Sequence, residues 1–211
     1  MKTHILQKKI LKYILSAFIF IACANSALAI KSNHGMDGYV QHEINAVNNA
    51  RLHSNMGNIF FDEKKYISAL KEYEIAYNLA PNHQASGVYL HNIAKCYVVI
   101  GDFVSAKNAI EGAIKKDCIN MTYYEMLVDL LIKLKIEEQE IDKYIKDNKN
   151  PYNRIIIGLI YLKTDRIMQA KITFDDFVEE YPDMIITQDV KTLLRKIKKN
   201  SIKKTANLWT N

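Results

Sequence analysis

Proline and glycine are both scarce, three and seven in 211 residues. So few turn formers exclude a β-sandwich or barrel, which needs a turn signal roughly every ten residues. Cysteine is rarer than chemistry would require. The three are Cys23, Cys96 and Cys118, and no Cys-x-x-Cys or His-x-x-x-His spacing accompanies them, so no metal site is expected. No phosphate loop, no Gly-x-Gly-x-x-Gly, no Gly-x-Ser-x-Gly and no His-Glu-x-x-His is present. The six histidines are scattered; His53 and His91 hold related places but bring no carboxylates with them. Asp175-Asp176 and Glu179-Glu180, one helical turn apart, read as the solvated face of a helix. No catalytic residue, cofactor or enzymatic activity is expected.

The excess of positive charge is also smaller than it looks. Of the formal +6, four charges come from Lys2, Lys8, Lys9 and Lys12, in a 29-residue segment without an acid. The rest of the chain carries about +2, too little for a nucleic-acid footprint. What remains is a composition of 49% hydrophobic and 25% charged residues, rich in Ile, Leu, Lys, Glu and Ala, which suits globular helices.

Residues 1–29 have the three parts of a secretory signal: the basic stretch to Lys12, the apolar run Tyr13–Ala22, and Ala27-Leu28-Ala29 as a small-x-small cleavage site. The apolar run is too short to span a bilayer, which needs about 20 residues. Cleavage after Ala29 is expected, with the protein exported to the periplasm or envelope of a bacterium. The alternative is a lipoprotein signal, because Phe20-Ile21-Ala22 precedes Cys23, with a lipid on that cysteine.

An internal repeat organises the remainder. From Gly57, offsets of 12, 19 and 24 residues reach Ala69, Ala76 and Pro81. From Ala94 they reach Ala106, Ala113 and Cys118, and from Gly158 they reach Ala170, Phe177 and Pro182. Small residues belong where two helices come closest, large ones such as Tyr66, Tyr73, Ile110 and Phe174 fill the seam, and proline ends the second helix. Gly101-Asp102 makes a tight turn. Counting 34 from Ala94 gives Val128, but the later offsets then fall on Glu140 and Asp147, which are not expected at a tight contact.

These residues resemble the tetratricopeptide repeat, a 34-residue helix–turn–helix with small, aromatic and proline landmarks in this order. The resemblance implies an all-α, short right-handed α-solenoid over residues 40–199, with units near 50–83, 87–118, 121–149 and 151–183 and a capping helix at 187–199. A flexible lead is expected at 30–39 and a mobile tail at 200–211. The first helix should begin near Val40, with Ile44 and Val47 on its buried side. Thr187 is expected to cap the last helix, whose apolar stripe is Val190, Leu193, Leu194 and Ile197. Its basic face could contact a membrane, as could a lipidated Cys23. Cys96 and Cys118 should lie about 18 Å out of step on antiparallel helices, at 1.5 Å per residue, too far for a disulfide.

The resemblance also implies function: a non-catalytic scaffold that binds a partner protein or peptide on the concave side lined by the first helices. The groove residues are then Asn55, Asn58 and Phe61 in the first unit, Asn92, Lys95 and Val99 in the second, and Tyr152, Ile156 and Leu159 in the last. Some repeats of this kind grip a C-terminal carboxylate with asparagines and basic residues. Asn58 and Asn92 fall where such asparagines lie, but Ser54, Thr122 and Met126 stand where the bases would be, so that clamp is not expected. The alternative function is a lipid-anchored subunit of an envelope assembly complex.

Overall fold

The computed structural model describes residues 34–147 and 149–208. Among them are nine helices and no strand: α1 (His34–Asp62), α2 (Tyr66–Leu79), α3 (Ser86–Ile100), α4 (Phe103–Lys116), α5 (Met121–Leu134), α6 (Glu137–Lys146), α7 (Tyr152–Lys163), α8 (Ile167–Glu180) and α9 (Thr187–Leu208). Cys23 and the cleavage site after Ala29 lie outside the described residues. The chain divides into two compact units, one ending at Asn48 and one beginning at Asn49.

The described part of the first unit is the leading half of α1, which is 29 residues long against 14 for α2. It begins at His34, inside the expected lead, because nothing in this stretch after Lys31 is a proline and a helix tolerates Gly35 and Gly38 at about 1 kcal/mol each. Ile44, expected to be buried, is exposed, and Val47 is half-buried. No other described helix of this unit is available to cover them.

The second unit stacks four antiparallel hairpins, α1–α2, α3–α4, α5–α6 and α7–α8, closed by α9. One turn geometry closes all four. Lys64 (φ 61°), Gly101 (φ 92°), Lys135 (φ 58°) and Asp165 (φ 60°) are left-handed, and each stands seven residues after Gly57, Ala94, Val128 or Gly158. The next N–H in each case donates to the carbonyl five residues back: Lys65 to Phe60 (2.8 Å), Asp102 to Tyr97 (3.0 Å), Ile136 to Leu131 (3.1 Å) and Arg166 to Tyr161 (2.8 Å). A left-handed residue inside such a bond stops a helix while satisfying its last carbonyls. Only Gly101 takes this conformation without a Cβ penalty.

The seam follows the expected offsets. Ala69, Ala76, Ala94, Ala106, Ala113 and Ala170 are fully buried. A Cβ placed on Gly57 would sit 2.6 Å from the Tyr73 ring, and one on Gly158 would run into Phe174. Tyr73, Ile110 and Phe174 stand sixteen residues after Gly57, Ala94 and Gly158, so small meets large at one place in three hairpins.

The third hairpin is in register, contrary to the sequence reading. Val128 is fully buried, the turn falls on Lys135, and α6 begins at the same offset as α2, α4 and α8. The difference is length. α6 has 10 residues where the other second helices have 14. That missing turn accounts for the 30-residue step between Val128 and Gly158, four short of the 34 between Ala94 and Val128. Glu140 does hold the seam-side position, its carboxylate neutralised by Lys143 (2.8 Å) and Lys107 (4.0 Å).

At the far end, Ile186 and Val190 are fully buried and Ile197 nearly so, which makes α9 the cap. Thr187 is the first residue of that helix, and its hydroxyl donates to the Tyr181 carbonyl (2.6 Å), tying α9 to the end of α8. The helix continues to Leu208, past the expected boundary at 199, since residues 200–208 contain no glycine or proline.

Candidate functional site: the face of the first helices

The first helices α1, α3, α5 and α7 place one residue each beside the small-residue position: Asn58, Lys95, Asp129 and Leu159. At the α1 end, Phe61 and Lys95 meet. The Lys95 ammonium lies 4.7 Å from the Phe61 ring centroid, a cation–π contact, and also donates to the Asn92 side-chain oxygen (3.5 Å). Tyr66 stands edge-on to the same ring at 5.3 Å. Asn58 is exposed, but its side-chain oxygen accepts from the buried Tyr73 hydroxyl (2.7 Å), leaving its amide N–H groups for a ligand. Burial pushes the Tyr73 phenol up to about 12, so it is protonated and a donor at neutral pH. Asn55 and Val99 are exposed.

Three of the expected groove residues are not available. Asn92 is buried. Ile156 and Leu159 are 5% and 1% exposed, because α7 packs on α5, α6 and α8 together and every residue from Ile155 to Ile160 is buried. Tyr152 is half-buried and faces the joint before α5 instead: it stacks on Tyr124 (6.0 Å, 8°) and accepts from the Cys118 thiol (3.2 Å), while Tyr124 donates to the Cys118 carbonyl (2.8 Å). Cys96 is fully buried and Cys118 half-buried, and both are free.

The sequence reading missed a cavity on this face. A cavity of about 480 Å³ opens between α3 and α5, floored by Val98, Phe103, Met126 and Leu130. Its rim carries His91, Thr122, Glu125, Asp129 and Lys133. Lys133 lies 5.3 Å over the Phe103 ring and Asp129 pairs with Lys163. His91 packs against Tyr123 (5.0 Å), and burial followed by the nearby Lys95 lowers its pKa, so the ring is neutral at pH 7. Glu125 has no ion-pair partner among the described residues. Carrying the register through Val128 would have found these positions, since Glu125, Asp129 and Lys133 stand where His91, Lys95 and Val99 stand one unit earlier.

Among the described residues no three of His, Cys, Asp and Glu converge on a metal position. Burial, the larger cause, pushes the Cys96 thiol up to about 11, away from the nucleophilic form.

Gly57, Ala94, Val128 or Gly158, a left-handed turn seven residues on, and a second helix two residues after that recur in all four hairpins. They are built like tetratricopeptide repeats. In keeping with this, the chain is 27% identical over 160 residues to a TPR repeat-containing protein of Methanocaldococcus jannaschii, a match over 73% of this chain and 27% of that one. The chain therefore spans about a quarter of that relative's length. No family model matches. Among solved structures it is similar to a tetratricopeptide repeat protein of Parabacteroides merdae, at 19% identity over 72% of this chain and 61% of that one, with a TM-score of 0.46. The first TPR domain of Spaghetti, bound to an HSP90 peptide, is 17% identical over 74% of this chain and 95% of that one, with a TM-score of 0.40. Each repeat of such a stack buries its own face against its neighbours.

Proposed function

We propose that this protein is a non-catalytic scaffold of the bacterial envelope, exported by its N-terminal signal, and that it holds a partner protein or peptide on the face of its first helices. The cavity between α3 and α5 carries this reading. Its apolar floor is ringed by polar groups, the pattern of a site that takes one hydrophobic anchor and orients it by a few polar contacts. The Phe61–Lys95 pair extends the same face toward α1. Groove residues are accordingly Asn55, Asn58, Phe61, Lys95 and Val99, joined by Glu125, Met126 and Asp129.

The test is affinity capture from envelope extract with the full chain against a Val98→Glu/Met126→Glu variant. The variant should lose a protein that the wild type retains, at an unchanged melting temperature. Equal capture by both would refute the groove. Loss on changing Arg195, Lys196, Lys198 and Lys199 to Gln, with the cavity variant still binding, would move the contact to the exposed basic face of α9. No described helix is long and apolar enough to cross a membrane.

A further inference from the structure

The repeat supplies an internal control for its own surface. On the first helix of each hairpin, the residues five before, one before and two after the small-residue position form one stripe. In the second hairpin these are Tyr89, Ile93 and Cys96, none more than 6% exposed, and Ile93 and Cys96 are covered by Ala69 and Tyr73 of the preceding α2. The corresponding triplets beginning at Tyr123 and Asn153 are at most 7% exposed. In the first hairpin the same stripe is Leu52, Met56 and Ile59, equally apolar, and 58%, 42% and 57% exposed. This is a stacking face, and among the described residues nothing is stacked on it. The opposite end of the stack has no such face, because α9 covers α8 there.

We propose that the stripe Leu52–Met56–Ile59 is the interface between two copies of this chain, packed antiparallel about a two-fold axis near Met56. Continuity with the established stack favours a helix as occupant, and the closed far end favours a second α1 over any other helix of this chain. Head-to-tail stacking would need an open face at both ends, whereas pairing two like faces closes after two copies.

Charge selects the same arrangement. Arg51, Asn55 and Asp62 lie along one flank of the stripe, at i, i+4 and i+11. Arg51 and Asp62 are both exposed, and neither has an ion-pair partner among the described residues. In an antiparallel pair the same flank of each helix meets its counterpart in the other. Reversal about a point near Met56 therefore brings each Arg51 to the Asp62 of the other copy, giving two equivalent ion pairs. In a parallel pair the two copies of this flank would lie on opposite sides of the seam, and Arg51 and Asp62 would not meet.

Sedimentation equilibrium of the full chain tests this. The wild type should form a reversible dimer. Leu52→Glu with Ile59→Glu should abolish it at an unchanged melting temperature, since both side chains are exposed in the single copy. Arg51→Asp and Asp62→Arg should each raise the dissociation constant about tenfold, and the two together in one chain should restore the dimer, because both partners are then exchanged. A wild type that stays monomeric at about 100 µM overturns the proposal. So does an association that survives the glutamates, or a double charge exchange that fails to restore what the single changes lost.

Discussion

Gly57→Ala is a substitution on which two effects of similar size compete. In a helix interior, alanine is favoured over glycine by about 1 kcal/mol, so propensity alone predicts a stabler protein. Against this, the new Cβ would lie 2.6 Å from one ring carbon of Tyr73 and 2.7 Å from another. Tyr73 is fully buried, and its hydroxyl is held by Asn58, so the ring cannot swing aside without losing that bond. Overpacking of this kind costs about 1–3 kcal/mol. Repulsion should win, with a net loss of about 1–2 kcal/mol. For a domain of this size each kcal/mol lowers the melting temperature by about 2–4 °C. Gly112→Ala is the matched control: its Cβ would meet only the end of the Leu90 side chain, at 3.3 Å. That variant should melt at or above the wild-type temperature, and Tyr73→Leu should relieve most of the Gly57→Ala loss in a double-mutant cycle. Circular dichroism melts report all three. A Gly57→Ala protein as stable as wild type, with no coupling to Tyr73, would refute the small-against-large seam.

Other outcomes follow from the same contacts. Asn58→Ala should lower stability by about 1–2 kcal/mol, because it strands the buried Tyr73 hydroxyl; an unchanged melt would mean water replaces the asparagine. Cys96 titrates near 9 when unfolded and about 11 when folded, and Tyr73 near 10 and about 12, so between these values the folded chain holds protons the unfolded chain has lost. The stability these two groups contribute is therefore full below about pH 9 and is lost as pH rises through about 11 to 12. The slope of melting temperature against pH should be shallower in Cys96→Ala, and equal slopes would remove Cys96 from that account. N-terminal sequencing of envelope material should begin at Ile30, whereas a lipidated start at Cys23 would favour the anchored alternative.

The hairpins were legible where close packing constrains residue type. Gly57, Ala94 and Gly158 mark the places where a second helix leaves no room for more, and their common offsets to alanine or phenylalanine expose the repeat. The third hairpin was obscure because Glu140 replaces alanine at the seam, made tolerable by Lys143 and Lys107, which no offset rule anticipates. Its turn was hidden for a different reason: Lys135 adopts a conformation that sequence patterns assign to glycine, and so do Lys64 and Asp165. The site was half legible. Phe61 and Lys95 come together as the register requires, but Ile156 and Leu159 are buried because α7 packs on α5, α6 and α8 together, a tertiary arrangement that the repeat pattern does not express. The cavity is hidden in the sequence because its α5 wall belongs to the unit whose later offsets fall on Glu140 and Asp147.

The claim that the first helices form the working face is tested most directly by photo-crosslinking in living cells. A benzophenone amino acid at Val98, in the cavity, is compared with one at Val104, which is exposed and does not line it. The account predicts a discrete protein adduct from Val98 and none from Val104. An adduct from Val104 alone would contradict it.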